Sequence, residues 1–178
     1  MATLIALLRG VNVGNNILRM ERLRECCLEL GMRNPRTYLQ SGNIVFEGEG
    51  GVTKWARAIE RRLAGETRLP ITVVIRTAPE FVRMAEENPF LKERGIDETK
   101  LHATLLATIP TKTASRALAA LDCGCDRFLR SGRDIYLHCP NGYGRSKLSN
   151  NAFEKVLRVR ATTRNWNTVK NLLEIARV

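Results

Sequence analysis

Four turns in this chain gather arginine, lysine, asparagine, serine and glycine at spacings suited to holding an anion. The first, "LRGVNVGNN", supplies a fixed positive charge at Arg9 and amides at Asn12, Asn15 and Asn16. Its glycines, Gly10 and Gly14, permit the positive-φ backbone from which N–H groups form a nest. The second, "QSGNIVF", offers the Ser41 hydroxyl and the Asn43 amide. The third, "CPNGYGRSKLSNN", carries Tyr143, Arg145, Ser146 and Lys147 into a helix start. Free N–H groups and the positive end of the helix dipole add to that charge. The fourth, "ATTRNWNT", puts Arg164 and Asn165 before another helix. A cation there opposes the dipole, which motivates an anionic partner. Each turn also has a plain reading, because Asn, Gly, Ser and Thr are the ordinary residues of turns and caps. Trp166, with Val169, Leu173 and Ala176 on one helical face, reads as a core anchor.

None of these turns matches a named phosphate fingerprint. Gly10 and Gly14 lack a third glycine, and Lys147 follows Ser146 rather than a glycine. No H-E-x-x-H and no G-x-S-x-G occurs. His102 and His138 both fall in strand-like runs, and the carboxylate pairs Glu86-Glu87 and Asp97-Glu98 read as solvated surface. The five cysteines, Cys26, Cys27, Cys123, Cys125 and Cys139, show no paired C-x-x-C spacing. They read as reduced thiols, and neither a metal nor a cofactor is expected.

Composition bounds the ligand class. The 178 residues carry a net charge of +11, and eight basic residues face two acidic ones between Tyr143 and Val178. Such a field attracts polyanions. No apolar run approaches the ~20 residues that span a bilayer. The opening "MATLIALLRG" lacks both a basic leader and a small-residue cleavage site. Thr3 to Leu8 therefore reads as a first strand rather than a signal peptide, with a cytoplasmic location and no membrane partner expected.

The elements that must position the turns follow from periodicity. After the first strand, Met20, Leu23, Cys26, Cys27 and Leu30 recur at helical spacing, with Gly31 as a stop. "RTYLQ" and "NIVFE" form a hairpin around Ser41-Gly42. Trp55, Ile59 and Leu63 mark a second helix with Thr53 as its cap, and "ITVVIRT" is a strand. Residues 3–77 thus read β-α-β-β-α-β, the split βαβ order. Beyond a helix opened by Pro79, the second half reads as a strand at 101–109, a helix at 111–122 with Thr113 as one possible cap, and strands at 126–131 and 134–139. Helices at 149–158, capped by Ser149 or Asn150, and at 164–176 complete it. The expected fold class is α+β: a ferredoxin-like βαββαβ N-terminal half packed with a second α+β half of related βαββα order. The expected division is 1–78 and 79–178.

At this point "ALLRGVNVG", "TYLQSGNIVF", "NPF", "GYGRSKLSN" and "ATTRNWNTVKNLLE" together resemble the domain-of-unknown-function family 1697, small bacterial proteins of uncharacterised activity. The resemblance runs from Leu7 to Glu174 and implies an α+β fold with ferredoxin-like elements. It supplies no reaction. It marks as signature positions Arg9, Gly10, Asn12 and Gly14; Ser41, Gly42 and Asn43; Asn88, Pro89 and Phe90; Tyr143, Ser146 and Lys147; and Thr163 to Trp166 with Thr168. The family loop reads glycine-glycine with a lysine soon after, whereas this chain has Asn15 and, in "NILRM", only Arg19.

The functional expectation is binding of nucleic acid or a phosphate-bearing ligand in a polar cleft formed by these turns. Arg9, Arg145, Lys147 and Arg164 would contact phosphate. Asn12, Asn43 and Asn165 would orient the ligand, and Tyr143 would stack on a base. The alternatives are an enzyme acting on a small phosphorylated metabolite or nucleotide, and a non-catalytic homodimeric assembly module pairing through sheet edges.

Overall fold

A computed structural model describes residues 1–12, 17–39, 42–67 and 70–177. The chain divides into two compact units. One runs from Met1 to Arg83 and includes the chain from Asn171 onward; the other is Met84–Lys170.

The first unit contains β1 (Ala2–Arg9), α1 (Met20–Glu29), β2 (Arg33–Tyr38), β3 (Asn43–Gly48), α2 (Val52–Thr67) and β4 (Thr72–Thr77). Its four strands form an antiparallel sheet in the order β2-β3-β1-β4, as the split βαβ reading requires. Alternation along β1 and β3 points Leu4, Ala6, Leu8, Ile44 and Phe46 into one core with Leu23, Cys26 and Cys27 of α1. Trp55, Ile59 and Leu63 of α2 complete that core at the spacing read from sequence. Trp55 sits edge-on to Phe46 with ring centroids 5.3 Å apart, and its Nε1 donates to the Glu49 carbonyl at 3.1 Å. Gly48 makes room for it, since a Cβ there would lie 2.8 Å from the indole. Thr53 is not the cap of α2, which already begins at Val52. β2 begins at Arg33, earlier than expected, and carries a bulge between Arg33 and Arg36, where Pro35 would otherwise break the ladder.

An ion-pair network ties α1 to α2. Arg22 bonds Glu66 at 2.6 Å, Glu25 and Glu29, while Arg62 bonds Glu29 at 2.6 Å and Glu66 at 2.5 Å. Hydrogen bonds from Arg22 and then Arg62 hold the Glu66 carboxyl down to about 2, and Glu29 is lowered as well, chiefly by Arg62. A carboxyl depressed in the folded state stabilises above its ordinary value and loses that contribution as pH falls through its folded value. The network therefore weakens from about pH 4.5 towards pH 2. Glu66→Gln is expected to flatten the loss of stability in that window. Acid titration followed by circular dichroism checks this; an unchanged acid profile would show the network to be idle.

The second unit contains β5 (Leu101–Leu106), α4 (Lys112–Ala117), β6 (Arg127–Ser131), β7 (Asp134–His138), α5 (Asn150–Leu157) and β8 (Ala161–Asn165). Its sheet has the order β6-β7-β5-β8, again antiparallel. The strand β8 corrects the βαββα reading of this half. The "ATTRN" stretch pairs with β5 from Leu106↔Ala161 to His102↔Asn165, so the second half repeats the full βαββαβ order. The α4 cap is Thr111, whose hydroxyl accepts from the Ala114 amide at 3.2 Å, rather than Thr113. The α5 cap is Ser149, and Leu106, Ile135, Leu137, Phe153 and Leu157 form this unit's core. Two further helices are α3 (Ala78–Glu86) and α6 (Trp166–Ala176). Thr77 and Glu80 close a capping box on α3: the Glu80 carboxylate accepts from the Thr77 amide at 2.9 Å, and the Thr77 hydroxyl from the Glu80 amide at 3.4 Å. Among the described residues no helix is long and apolar enough to cross a membrane.

Candidate functional site

In the first unit the "RGVN" turn leaves β1 at Arg9, which lies opposite Thr72 of β4. Gly10 takes φ 93°, and a Cβ on it would meet the Pro70 carbonyl at 2.9 Å, so both conformation and space require glycine. Asn12 has φ 54°, and its Oδ1 accepts from the Leu18 amide at 2.6 Å. Asn43 is fully enclosed at the head of β3, and its Nδ2 donates to the Tyr38 carbonyl at 2.7 Å. Both amides thus serve the turns in which they stand. Ser41, Gly14, Asn15 and Asn16 lie outside the described residues.

In the second unit Gly142, at φ 87°, opens a single 3-10 turn, Tyr143–Arg145. The Tyr143 ring stacks on His102 of β5 with centroids 4.8 Å apart and 24° between planes. Burial pushes the His102 imidazole down, with the Lys100 carbonyl acting in the opposite direction. Arg145 is exposed. The Ser146 hydroxyl accepts from the Leu148 amide at 2.9 Å. Lys147 is exposed and forms an ion pair with Asp122. The α5 N-terminus is served by Ser149. Charge, hydroxyl and helix start therefore coincide at this loop as expected, but Ser146, Lys147 and Ser149 each have a protein partner.

Arg164 lies within β8, opposite Ala103, and, as expected, just before a helix: α6 begins two residues later at Trp166. One of the Arg164 terminal nitrogens donates to the Thr162 hydroxyl and to the Thr163 carbonyl, both at 2.9 Å, among its contacts. The side chain is half-buried. Burial lowers its pKa to about 10, with the Tyr143 phenol acting in the opposite direction. Asn165 is exposed, and its Oδ1 caps α6 by accepting from the Thr168 amide at 2.8 Å. Trp166 is buried, as a core anchor should be.

Strand alternation separates these groups. Thr162 and Arg164 share one face of β8; Thr163 and Asn165 share the other. On the latter face the Thr104 and Thr163 hydroxyls meet at 2.7 Å, and Thr163 donates to Asn150 Oδ1 at 2.8 Å. This partly buried chain joins β5, β8 and α5, and periodicity alone does not reveal it. A second unforeseen cluster brackets Arg127, which bonds both Glu93 oxygens at 3.0 and 2.8 Å, approaches His138 Nδ1 at 3.1 Å and lies 5.0 Å over the Phe90 ring. Nearby in sequence, Asn88 is fully enclosed, and its Oδ1 accepts from the Phe90 amide at 3.1 Å. Among the described residues its Nδ2 has no hydrogen-bond partner. Its place in the "NPF" motif is the only sequence signal for it.

All five cysteines are free thiols. Burial raises Cys27 to about 12 and Cys139 to about 11, which keeps both protonated and unreactive. Among the described residues no group of three His, Cys, Asp or Glu side chains could hold a metal ion.

The sequence pattern of the proteins of unknown function called DUF1697 matches residues 1–136. Among solved structures, the conserved bacterial protein SP0830 from Streptococcus pneumoniae is similar over 100% of this chain and 99% of its own, with a TM-score of 0.70 at 20% identity. That likeness supports the fold. No curated protein matches the sequence. Two sheets of split βαβ order and a family match over three quarters of the length agree, and the chain belongs to the DUF1697 family.

Proposed function

We propose that this protein binds a phosphate-bearing ligand, either a nucleic-acid strand or a nucleotide, with the Arg164 guanidinium of β8 as the principal anion contact. The observation that carries this reading is the Arg164 guanidinium held by the Thr162 hydroxyl and the Thr163 carbonyl within β8, where burial disfavours its charge. A guanidinium whose charge is disfavoured by burial gains more from an anionic oxygen than an exposed one does. The Thr162 hydroxyl and the Thr163 carbonyl fix its fork, so little orientation is lost on binding. Tyr143 and the exposed Arg145, on the 3-10 turn, supply a ring and a second cation from the same unit. The net charge of +11 raises the local concentration of any polyanion.

A thermal-shift series tests this with inorganic phosphate, mononucleotides, and short single-stranded DNA and RNA at low ionic strength. A ligand present at a hundred times its Kd stabilises by about 2.7 kcal/mol. For a chain of this size that corresponds to a rise of roughly 5–10 °C in Tm. A flat Tm across the whole series would refute the proposal.

A further inference from the structure

We infer that the outer face of α2 in the first unit is a second anionic contact, a docking surface for the phosphodiester backbone of a nucleic acid. Lys54, Arg57 and Arg61 lie at i, i+3 and i+7 and so form one row on this helix. All three are exposed. At 1.5 Å per residue the row spans about 10.5 Å, roughly three steps of a strand that carries one charge per 3.4 Å of axis.

The arrangement breaks a local rule. Like charges one turn apart destabilise a helix, and surface cations ordinarily meet carboxylates at i±4. Arg62, on the same helix, does so twice, with Glu29 and Glu66. Among the described residues Lys54, Arg57 and Arg61 have no ion pair. Glu60, on the same helix, accepts from the Val73 amide through its Oε1 at 2.9 Å, and Glu47 and Glu49 line a cavity with Lys54 without forming an ion pair with it. Arg57 and Arg61 also line an open cleft of about 420 Å³ together with Glu60, Ala64, Pro70 and Ile71. A row of three cations with a groove beside two of them is complementary to a linear polyanion rather than to a single ion. The match of the row to the phosphate repeat of a strand favours a nucleic acid over an acidic protein segment. This surface is independent of Arg164, and either contact can fail without the other.

The test is fluorescence anisotropy with a labelled single-stranded 20-mer across a salt series. The variant is Lys54→Gln with Arg57→Gln and Arg61→Gln, which keeps helix propensity. The control replaces Lys112, Arg116 and Lys155 of the second unit by Gln, removing the same charge elsewhere. The α2 variant is expected to flatten the slope of log K against log salt by about 2, at ~0.7 per phosphate contact. Its affinity at low salt should fall at least tenfold while the control changes severalfold less. Should the triple variant misfold by circular dichroism, Arg57→Gln with Arg61→Gln reads the same change at about two thirds the size. Equal losses in variant and control, no loss in either, or displacement of the oligonucleotide by polyglutamate at equal charge concentration would each overturn the inference.

Discussion

Gly42→Ala is expected to destabilise the protein by about 2–4 kcal/mol, combining a left-handed backbone penalty with overpacking. Gly42 has φ 73°, and a Cβ there would lie 2.5 Å from Val11 Cγ2 and 2.9 Å from Leu8 Cβ. Neither neighbour can retreat. Both are buried, and the Leu8 amide is held on the Gly42 carbonyl at 2.8 Å. Gly124 provides the internal control: its φ of 58° carries the same backbone penalty, but nothing lies within 4 Å of its missing Cβ. Gly124→Ala should therefore cost only about 1 kcal/mol. Urea denaturation at constant m separates the two, since a shift of midpoint without a change of slope is a change in stability. Equal costs would mean that the packing of Val11 and Leu8 against this turn contributes nothing.

The second large effect is on binding. Arg164→Met should weaken binding of the phosphate ligand by about 10- to 100-fold, the loss of one charge-assisted hydrogen-bonded contact of about 1.5–3 kcal/mol. Arg164→Lys should fall between, because an ammonium keeps the charge but not the planar fork that Thr162 and Thr163 orient. Affinities are to be compared at a temperature where circular dichroism shows each variant folded. A graded loss from arginine through lysine to methionine identifies a ligand contact. Unchanged affinity in Arg164→Met would assign the residue to holding β8 in place.

Much of the fold was legible because the apolar residues repeat at the right period. Trp55, Ile59 and Leu63 mark the buried face of α2, and "ITVVIRT" is a strand by composition alone. The strand β8 was not legible for the opposite reason. "ATTRN" has no apolar alternation, and its threonines cap helices as readily as they enter strands. Only the open edge of β5, fixed by residues sixty positions earlier, selects the strand.

The candidate site was legible as residue types but not as roles. Asn12, Asn43, Ser146 and Asn165 have the chemistry both of ligand donors and of turn closures, and here each bonds backbone. The Lys147 charge meets Asp122, twenty-five residues away, a pairing that no local pattern announces. Arg164 stood out in sequence for a cation placed before a helix. The structure keeps that placement, two residues before α6, and adds a strand position in β8 where burial disfavours the guanidinium charge. The basic row on α2 was in plain view, but its meaning depended on which arginines of that helix find carboxylates across α1.

The most direct measurement is the NMR signal of the Arg164 Nε–H group during titration with inorganic phosphate and with a short oligonucleotide. Phosphate binding at this position predicts saturable shifts of that signal, accompanied by the amides of Thr162 and Thr163. An Arg164 signal that stays fixed while the oligonucleotide binds elsewhere would contradict it.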